Sequence, residues 1–304
     1  MKSLPNSANP SLWWVLFETS RPLSWINTAY PFAIAYGLQS SRIDWYLILG
    51  TLFFLIPYNL FMYGVNDVFD YESDLQNPRK GGVEGALVAR RFHQQILWAV
   101  VITTTIPTLI LLFGASIWTG LVLLYVLFMV AAYSAKYLRF KEVPFLDSFT
   151  SSTHFVGPAV VGLLAAASRY PDVQISEASW LGIAAFFLWG MASQAFGAVQ
   201  DVIPDRQGSI RSIATQIGAA HTVRTAIALY LLSAALLVLR GGAGLWVCPL
   251  VLVYALNILP WVSVSDAQSG RTHSGWVRFL WLNYVVGFLL TLVIISAVQG
   301  WIAG

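Results

Sequence analysis

The chain has 304 residues, 57% of them hydrophobic and only 10% charged, with a formal net charge of +3. Soluble domains carry about a quarter charged residues, so this composition and a mean hydropathy of +0.67 exclude a soluble globule. The slight basic excess is a matter of membrane topology and lipid headgroups, not of nucleic acid. Long apolar runs exclude a β-barrel too, since barrel strands alternate apolar and polar residues over about ten positions.

In chain order, Lys2 is not followed by an apolar core with a small-residue cleavage site, so no removable signal peptide is expected. Residues 1–20 read as an N-terminal interfacial segment, with the Trp pair of "SLWWVLF" at headgroup depth. Nine apolar spans follow, at residues 25–38, 45–64, 95–113, 117–135, 147–167, 180–199, 223–239, 245–262 and 279–302. The expected fold is all-α: a polytopic bundle forming one membrane-embedded domain over residues 1–304. Pro31, Pro57 and Pro107 fall inside spans and are expected to kink them. The lone Cys248 rules out an intrachain disulfide.

Charge distribution sets the orientation. With the N-terminus cytoplasmic, 14 of the 17 basic residues fall inside, leaving Arg42, Arg169 and Arg240 outside. The positive-inside rule asks for this bias, and it puts the C-terminus outside. Of the acidic residues only Asp44, Asp172 and Glu177 lie outside. Acidic side chains contribute little to orientation, so their concentration on the cytoplasmic face marks the place of chemistry. Asp44, Asp147 and Asp266, each alone at a boundary, read as helix caps or solvated loop carboxylates. Arg90, Arg91, Arg224, Arg271 and Arg278 read as topology signals.

Two acidic segments, at about 66–92 and 200–222, stand apart. "GVNDVFDYESD" ends the second span and places Asp67, Asp70 and Asp74 at i, i+3 and i+7, one face of a helix. "GAVQDVIPDRQGSIR" ends the sixth and places Asp201 and Asp205 at i, i+4, with Pro204 expected to disturb the turn between them. The two segments echo one another, Asp67 against Asp201, as in a repeat that sets the clusters opposite each other across a bundle. Like charges so spaced repel, and a divalent cation reverses that. Mg²⁺ takes oxygen ligands and binds through one or two carboxylates plus substrate phosphates, so all five aspartates are candidate ligands of a Mg²⁺-bridged diphosphate. Asn66 and Gln200 are candidates to add amide contacts. Arg79, Lys80, Lys136, Arg139, Lys141, Arg206 and Arg211 are candidates to hold phosphate oxygens.

At these residues the sequence resembles the UbiA superfamily of intramembrane prenyltransferases. Asn66, Asp67, Asp70 and Asp74 match its N-D-x-x-D-x-x-x-D motif, and Asp201 and Asp205 match its D-x-x-x-D motif. Tyr133, Arg139 and Lys141 match a Tyr-and-basic loop, although Lys136 and Tyr137 stand where many members carry prolines. "SRPLSWINTAYP" looks like the first-helix signature, which implies that Arg21 and Asn27 lie near the pocket. "IPYNLFMYGVNDVFDYESDLQNPRKGGVEG" and "FLDSFTSSTHFVGPA" resemble the branch of lycopene elongases that build fifty-carbon carotenoids. The resemblance implies a Mg²⁺-dependent transfer of a dimethylallyl group from dimethylallyl diphosphate to the ends of lycopene, with membrane lipid as surroundings. An aromatic or quinone-precursor acceptor is the nearer rival, and a membrane carrier the more distant one. His154 is open to two readings: a pocket residue that takes up the final proton, or a hydrogen-bonded structural histidine.

Overall fold

The structure is a computed structural model that describes residues 10–75 and 87–304, without the side chains of residues 73 and 74. Arg79 and Lys80 therefore lie outside the described residues, as does the side chain of Asp74. All regular elements among the described residues are helical. They fall into two compact units, residues 1–139 with 157–174, and residues 140–156 with 175–304.

The first unit opens with α1 (Leu12–Thr19), whose start is capped by the Ser11 hydroxyl accepting from the Trp14 N–H. Val15 is buried against Leu60, Val65, Ile96 and Val100, while Trp13 is 82% exposed and Trp14 and Phe17 are also exposed. One apolar face on protein and another facing outward is the form expected of an interfacial helix. After it come α2 (Ile26–Ser40), α3 (Trp45–Leu55), α4 (Pro57–Phe69), the short α5 (Tyr71–Asp74), α6 (His93–Phe113), α7 (Ile117–Ser134) and α8 (Leu146–Arg169). The second half of α8 belongs to this unit and the first half to the other.

Helices α3 and α4 form one span, Trp45–Phe69, broken at Ile56 because Pro57 has no N–H to donate. The carbonyls exposed by the break are taken up from the side. Thr28 Oγ1 donates to the Phe54 carbonyl at 2.6 Å, and Asn59 Nδ2 donates to the carbonyls of Phe54 at 2.9 Å and Leu55 at 3.0 Å. Asn59 is fully buried. The kink expected at Pro57 is thus a real break, sealed by an amide in apolar surroundings.

At the α3 end of this unit, Asp44 caps α3 through the Leu47 N–H and accepts from Tyr36, Tyr170 and Arg169 at 2.7, 2.6 and 3.0 Å. Burial works against its charge, but those hydrogen bonds prevail and hold its carboxyl down at about 2. Arg42 pairs with Asp172 nearby, at 3.1 Å. Four of the residues assigned to the outside by charge counting, Arg42, Asp44, Arg169 and Asp172, therefore gather at one end of this unit.

The second unit comprises the first half of α8 and then α9 (Glu177–Val199), α10 (Val202–Gln207), α11 (Ile213–Ile217), α12 (Ala219–Arg240), α13 (Ala243–Ile258) and α14 (His273–Val298). Its core is built on small residues: Ala185, Ala192 and Ala195 of α9 face Ala219, Ala226 and Ala234 of α12. Small side chains let helices approach closely where water supplies no driving force between them. Ser193 and Tyr230 share a hydrogen bond of 2.9 Å across that interface, and Ser233 donates to the Ala185 carbonyl at 2.7 Å.

Eight helical segments among the described residues are long and apolar enough to cross a membrane, and they match eight of the nine expected spans. The remaining one, residues 25–38, is realised as α2, which has only 15 residues. At 1.5 Å per residue that is about 22 Å, short of a hydrocarbon core of about 30 Å. The last span also differs: α14 begins at His273 rather than 279, because its first turns are packed against α9. Replacing Asn59 by Leu removes the amide donor from the Leu55 carbonyl and leaves the Phe54 carbonyl with Thr28 alone at the break. We expect this to cost about 1–3 kcal/mol, measurable as lowered thermal stability of the detergent-solubilised protein.

Candidate active site

The first acidic segment lies at the end of α4. Asp67 and Asp70 are buried, 2% and 1% exposed. A carboxylate in such a place needs a positive or donating partner, and each has one. Arg21 Nη2 donates to Asp67 Oδ1 at 2.7 Å, and its guanidinium lies over the Tyr63 ring, 4.2 Å from the centroid. Asp70 accepts from Asn66 Nδ2 at 2.6 Å and from the Ser134 hydroxyl at 3.2 Å, and Arg139 Nη1 stands 3.3 Å from its Oδ1. Asn66 also donates to Ser134, at 2.9 Å. Two arginines, an asparagine and a serine are thus gathered on two aspartates.

Both arginines reach this position through left-handed backbone, φ 51° at Arg21 and 43° at Arg139. Non-glycine residues seldom hold such angles, and they do so where the surroundings over-determine them, commonly at functional sites. Arg21 follows the Ser20 cap of α1, and Arg139 lies in the loop beyond the Ala135 cap of α7, so these connecting segments aim the guanidinium groups. Tyr137, also left-handed at φ 77°, is exposed beside Lys136, whose ammonium lies 5.2 Å from its ring. Tyr133 is half-buried on α7, one residue before Ser134. Asn27 is exposed in the first turn of α2 and is not among the residues gathered at Asp67 and Asp70.

Asp67, Asp70 and Asp74 do not share one continuous helix face, because the helix ends at Asp70. That residue is the C-cap of α4, with φ −98° and ψ 0°, and the short α5 follows. Asp201 has the same angles at the end of α9, as N-cap of the short α10. The bridge region of backbone space is sparsely populated and common among active-site residues. In local backbone Asp70, rather than Asp67, matches Asp201, and each is followed four residues on by a second aspartate, Asp74 and Asp205. Pro204 does not break the second turn, since the Asp205 N–H still donates to the Asp201 carbonyl at 2.8 Å. Proline in the first turn of a helix lacks only an N–H that has no partner there anyway.

Around the second segment the polar residues are engaged within their own unit. Gln200, 8% exposed, meets His273 Nδ1 at 2.7 Å. Arg206 pairs with Asp266 at 2.7 Å and donates to the Thr215 carbonyl at 3.1 Å. Asp266 accepts the Ala219 N–H at the start of α12, and Asp147 accepts the Ile213 N–H at the start of α11. With Asp44, all three boundary aspartates are helix caps, and Asp147 is buried rather than solvated. Lys141 is half-buried in the 3-10 turn Phe140–Glu142, and His154 is buried in the first half of α8, 3% exposed.

Sequence reasoning missed Ser134, Tyr63 and His273. Ser134 carried a faint signal, a small polar residue ending an apolar span beside Tyr133. The other two carried none. Among the described residues no three His, Cys, Asp or Glu side chains are grouped closely enough to hold a metal ion by themselves. Carboxylates taken one or two at a time, all hard oxygen donors, suit a cation that draws its other ligands from a substrate phosphate.

A family model described as "UbiA prenyltransferase family" matches residues 28–285. The chain belongs to that family. It is 48% identical to the lycopene elongase/hydratase of Corynebacterium glutamicum over 286 residues, 94% of this chain and 98% of that one. It is 47% identical to a C50 β-cyclic carotenoid biosynthesis protein of a Dietzia species, over 96% of this chain and 67% of that one. Among solved structures, a UbiA homologue from Archaeoglobus fulgidus, bound to DMAPP and Mg²⁺, shares the fold with a TM-score of 0.64 at 17% identity, covering 89% of this chain and 98% of that one. This UbiA-family chain is a multi-pass membrane prenyltransferase of lycopene elongase-like sequence.

Membership makes the Arg21–Asp67 pair a testable element of the site. Replacing Arg21 by Met removes the guanidinium that pairs with the buried Asp67 carboxylate, expected to cost about 3–5 kcal/mol. The double variant Arg21→Met, Asp67→Met should recover most of that stability. Thermal unfolding of both in lipid nanodiscs checks the difference.

Proposed function

We propose that this chain transfers a dimethylallyl group from dimethylallyl diphosphate to the ends of lycopene, with Mg²⁺ as cofactor. The observation that carries this reading is the 48% identity with the Corynebacterium lycopene elongase/hydratase over nearly the whole of both chains. The gathering of buried carboxylates with aimed arginines supports the diphosphate half of it. The whole chain, residues 1–304, acts in this reading as one membrane-embedded domain with nine spans. The distribution of basic residues favours a cytoplasmic N-terminus, cytoplasmic aspartate segments and an outside C-terminus.

Asp67, Asp70, Asp74, Asp201 and Asp205 would hold the metal, whose contribution is to neutralise the negative charge that grows on the departing diphosphate. The chain's own groups do the rest. Arg21 and Arg139 offer guanidinium donors to phosphate oxygens, and Asn66 and Ser134 keep Asp70 oriented while Asp70 changes partners. Arg79, Lys80, Tyr133, Lys141, Gln200 and Arg206 complete the proposed diphosphate surroundings, with Asn27 and His154 assigned to the substrate pocket. The allylic carbon–oxygen bond breaks and its electron pair leaves with the diphosphate. A terminal double bond of lycopene supplies the pair for the new carbon–carbon bond. The tertiary cation that results loses a proton or captures water. Apolar helices keep water from the first cation, and aromatic faces stabilise it by about 0.5–2 kcal/mol each.

Labelled dimethylallyl diphosphate given to membranes containing this chain, with lycopene or an aromatic acid as acceptor, tests the assignment. Label is expected in forty-five- and fifty-carbon carotenoids. Label in the aromatic product alone would reject the carotenoid acceptor. Asp70→Asn and Asp201→Asn are each expected to lower turnover by at least about a hundredfold while the protein still inserts. Near-normal turnover in both would reject the metal assignment.

A further inference from the structure

The polar contact that the reaction does not yet use is the one between His273 and Gln200. It lies inside the second unit and joins the first residue of α14 to the residue immediately before Asp201. Gln200 Nε2 donates to the Gly197 carbonyl at 3.1 Å, which fixes the orientation of the amide. Its oxygen then faces His273 Nδ1 at 2.7 Å, so Nδ1 carries the proton and donates. The pair sits where the chain leaves α9 and turns at Asp201 with φ −98° and ψ 0°.

The two helices are held close enough for this contact by glycines. A Cβ on Gly197 would meet the Trp276 ring at 2.9 Å, and one on Gly275 would meet Trp261 at 2.5 Å and Phe196 at 3.0 Å. No larger residue fits either position without displacing an aromatic ring. Asn257 Nδ2 donates to the Gly275 carbonyl at 3.1 Å, and Trp276 stacks on Phe279 with ring centroids 4.9 Å apart. The start of α14 is therefore a fixed platform. From it, and from the 3-10 segment Asp266–Thr272 just before it, two side chains reach the residues that bracket the second aspartate pair. His273 holds Gln200, before Asp201, and Asp266 holds Arg206, after Asp205.

We propose that His273 is a positioning residue for Asp201, acting through Gln200 to fix the turn that presents this carboxylate. The proposal rests on the reading of Asp201 as a ligand of the metal–diphosphate group. His273 touches no reacting atom in it. Its imidazole sets the direction in which α9 ends. A displacement of about 1 Å at a reacting centre costs about a hundredfold in rate, so loss of this contact is felt at the diphosphate and not only in stability.

The test uses the full-length protein in membranes, with dimethylallyl diphosphate and lycopene, and compares His273→Leu, His273→Asn and Asp201→Asn. Asparagine keeps an N–H near the position of Nδ1; leucine does not. His273→Leu is expected to raise the Mg²⁺ concentration for half-maximal rate and the KM for the diphosphate by about tenfold or more, with amounts normalised to folded protein. His273→Asn is expected to restore both to within about threefold. His273→Leu with unchanged Mg²⁺ and diphosphate dependence would overturn the proposal, leaving His273 a purely structural contact. So would His273→Asn behaving as poorly as His273→Leu. Retained activity in Asp201→Asn is the separate outcome that would sink the underlying site assignment instead.

Discussion

Carboxylates buried at the end of a membrane helix are stable only when positive charge or strong donors surround them, and this requirement organises the first unit. Asp67 and Asp70 are almost wholly inaccessible. To meet them, the chain holds Arg21 and Arg139 in left-handed backbone, at the ends of two different helices. The break at Pro57, sealed by Asn59 and Thr28, sets the course of α4 and hence where Asp67 and Asp70 emerge. The same unit keeps its other ionic cluster, around Asp44 and Arg169, at the far end of the Trp45–Phe69 span. Charges thus sit at the two ends of the helices and not between them, as expected where a buried charge costs several kcal/mol.

This arrangement fits a site whose resting partners are replaced during function. An arginine that neutralises an aspartate is also a ready donor to a phosphate oxygen. Substrate and cation arriving together bring opposite charges, so the aspartates and arginines can separate without either being left buried and unpaired. The second unit solves the same problem differently. Its segment is less buried, and the polar residues beside the aspartates, Gln200 and Arg206, are tied to a platform at the start of α14.

Much of this was legible in the sequence, and what was not has a physical cause. Apolar runs fixed eight spans, because length and hydropathy alone decide whether a helix can cross lipid. Residues 25–38 do form a helix, but its 15 residues could not be foreseen, since composition does not report where a short helix ends. The D-x-x-x-D spacings marked both acidic segments. They do not reveal that a helix ends at Asp70, whose backbone angles match those of Asp201. Arg21 was marked by motif resemblance, yet its hold on Asp67 bridges 46 positions of sequence. The His273–Gln200 contact bridges 73. Pairings of that separation follow from helix packing and leave no local pattern.

The central claim is that Asp70 and its neighbours form a place where diphosphate and a divalent cation bind together. Binding of inorganic pyrophosphate to the purified full-length protein, titrated against Mg²⁺ for the wild type and for Asp70→Asn, tests it most directly. The account predicts binding that depends on Mg²⁺ and is weakened by at least about tenfold, or about 1.4 kcal/mol, in the variant. Equal affinity with and without Mg²⁺, unchanged by the substitution, would contradict it.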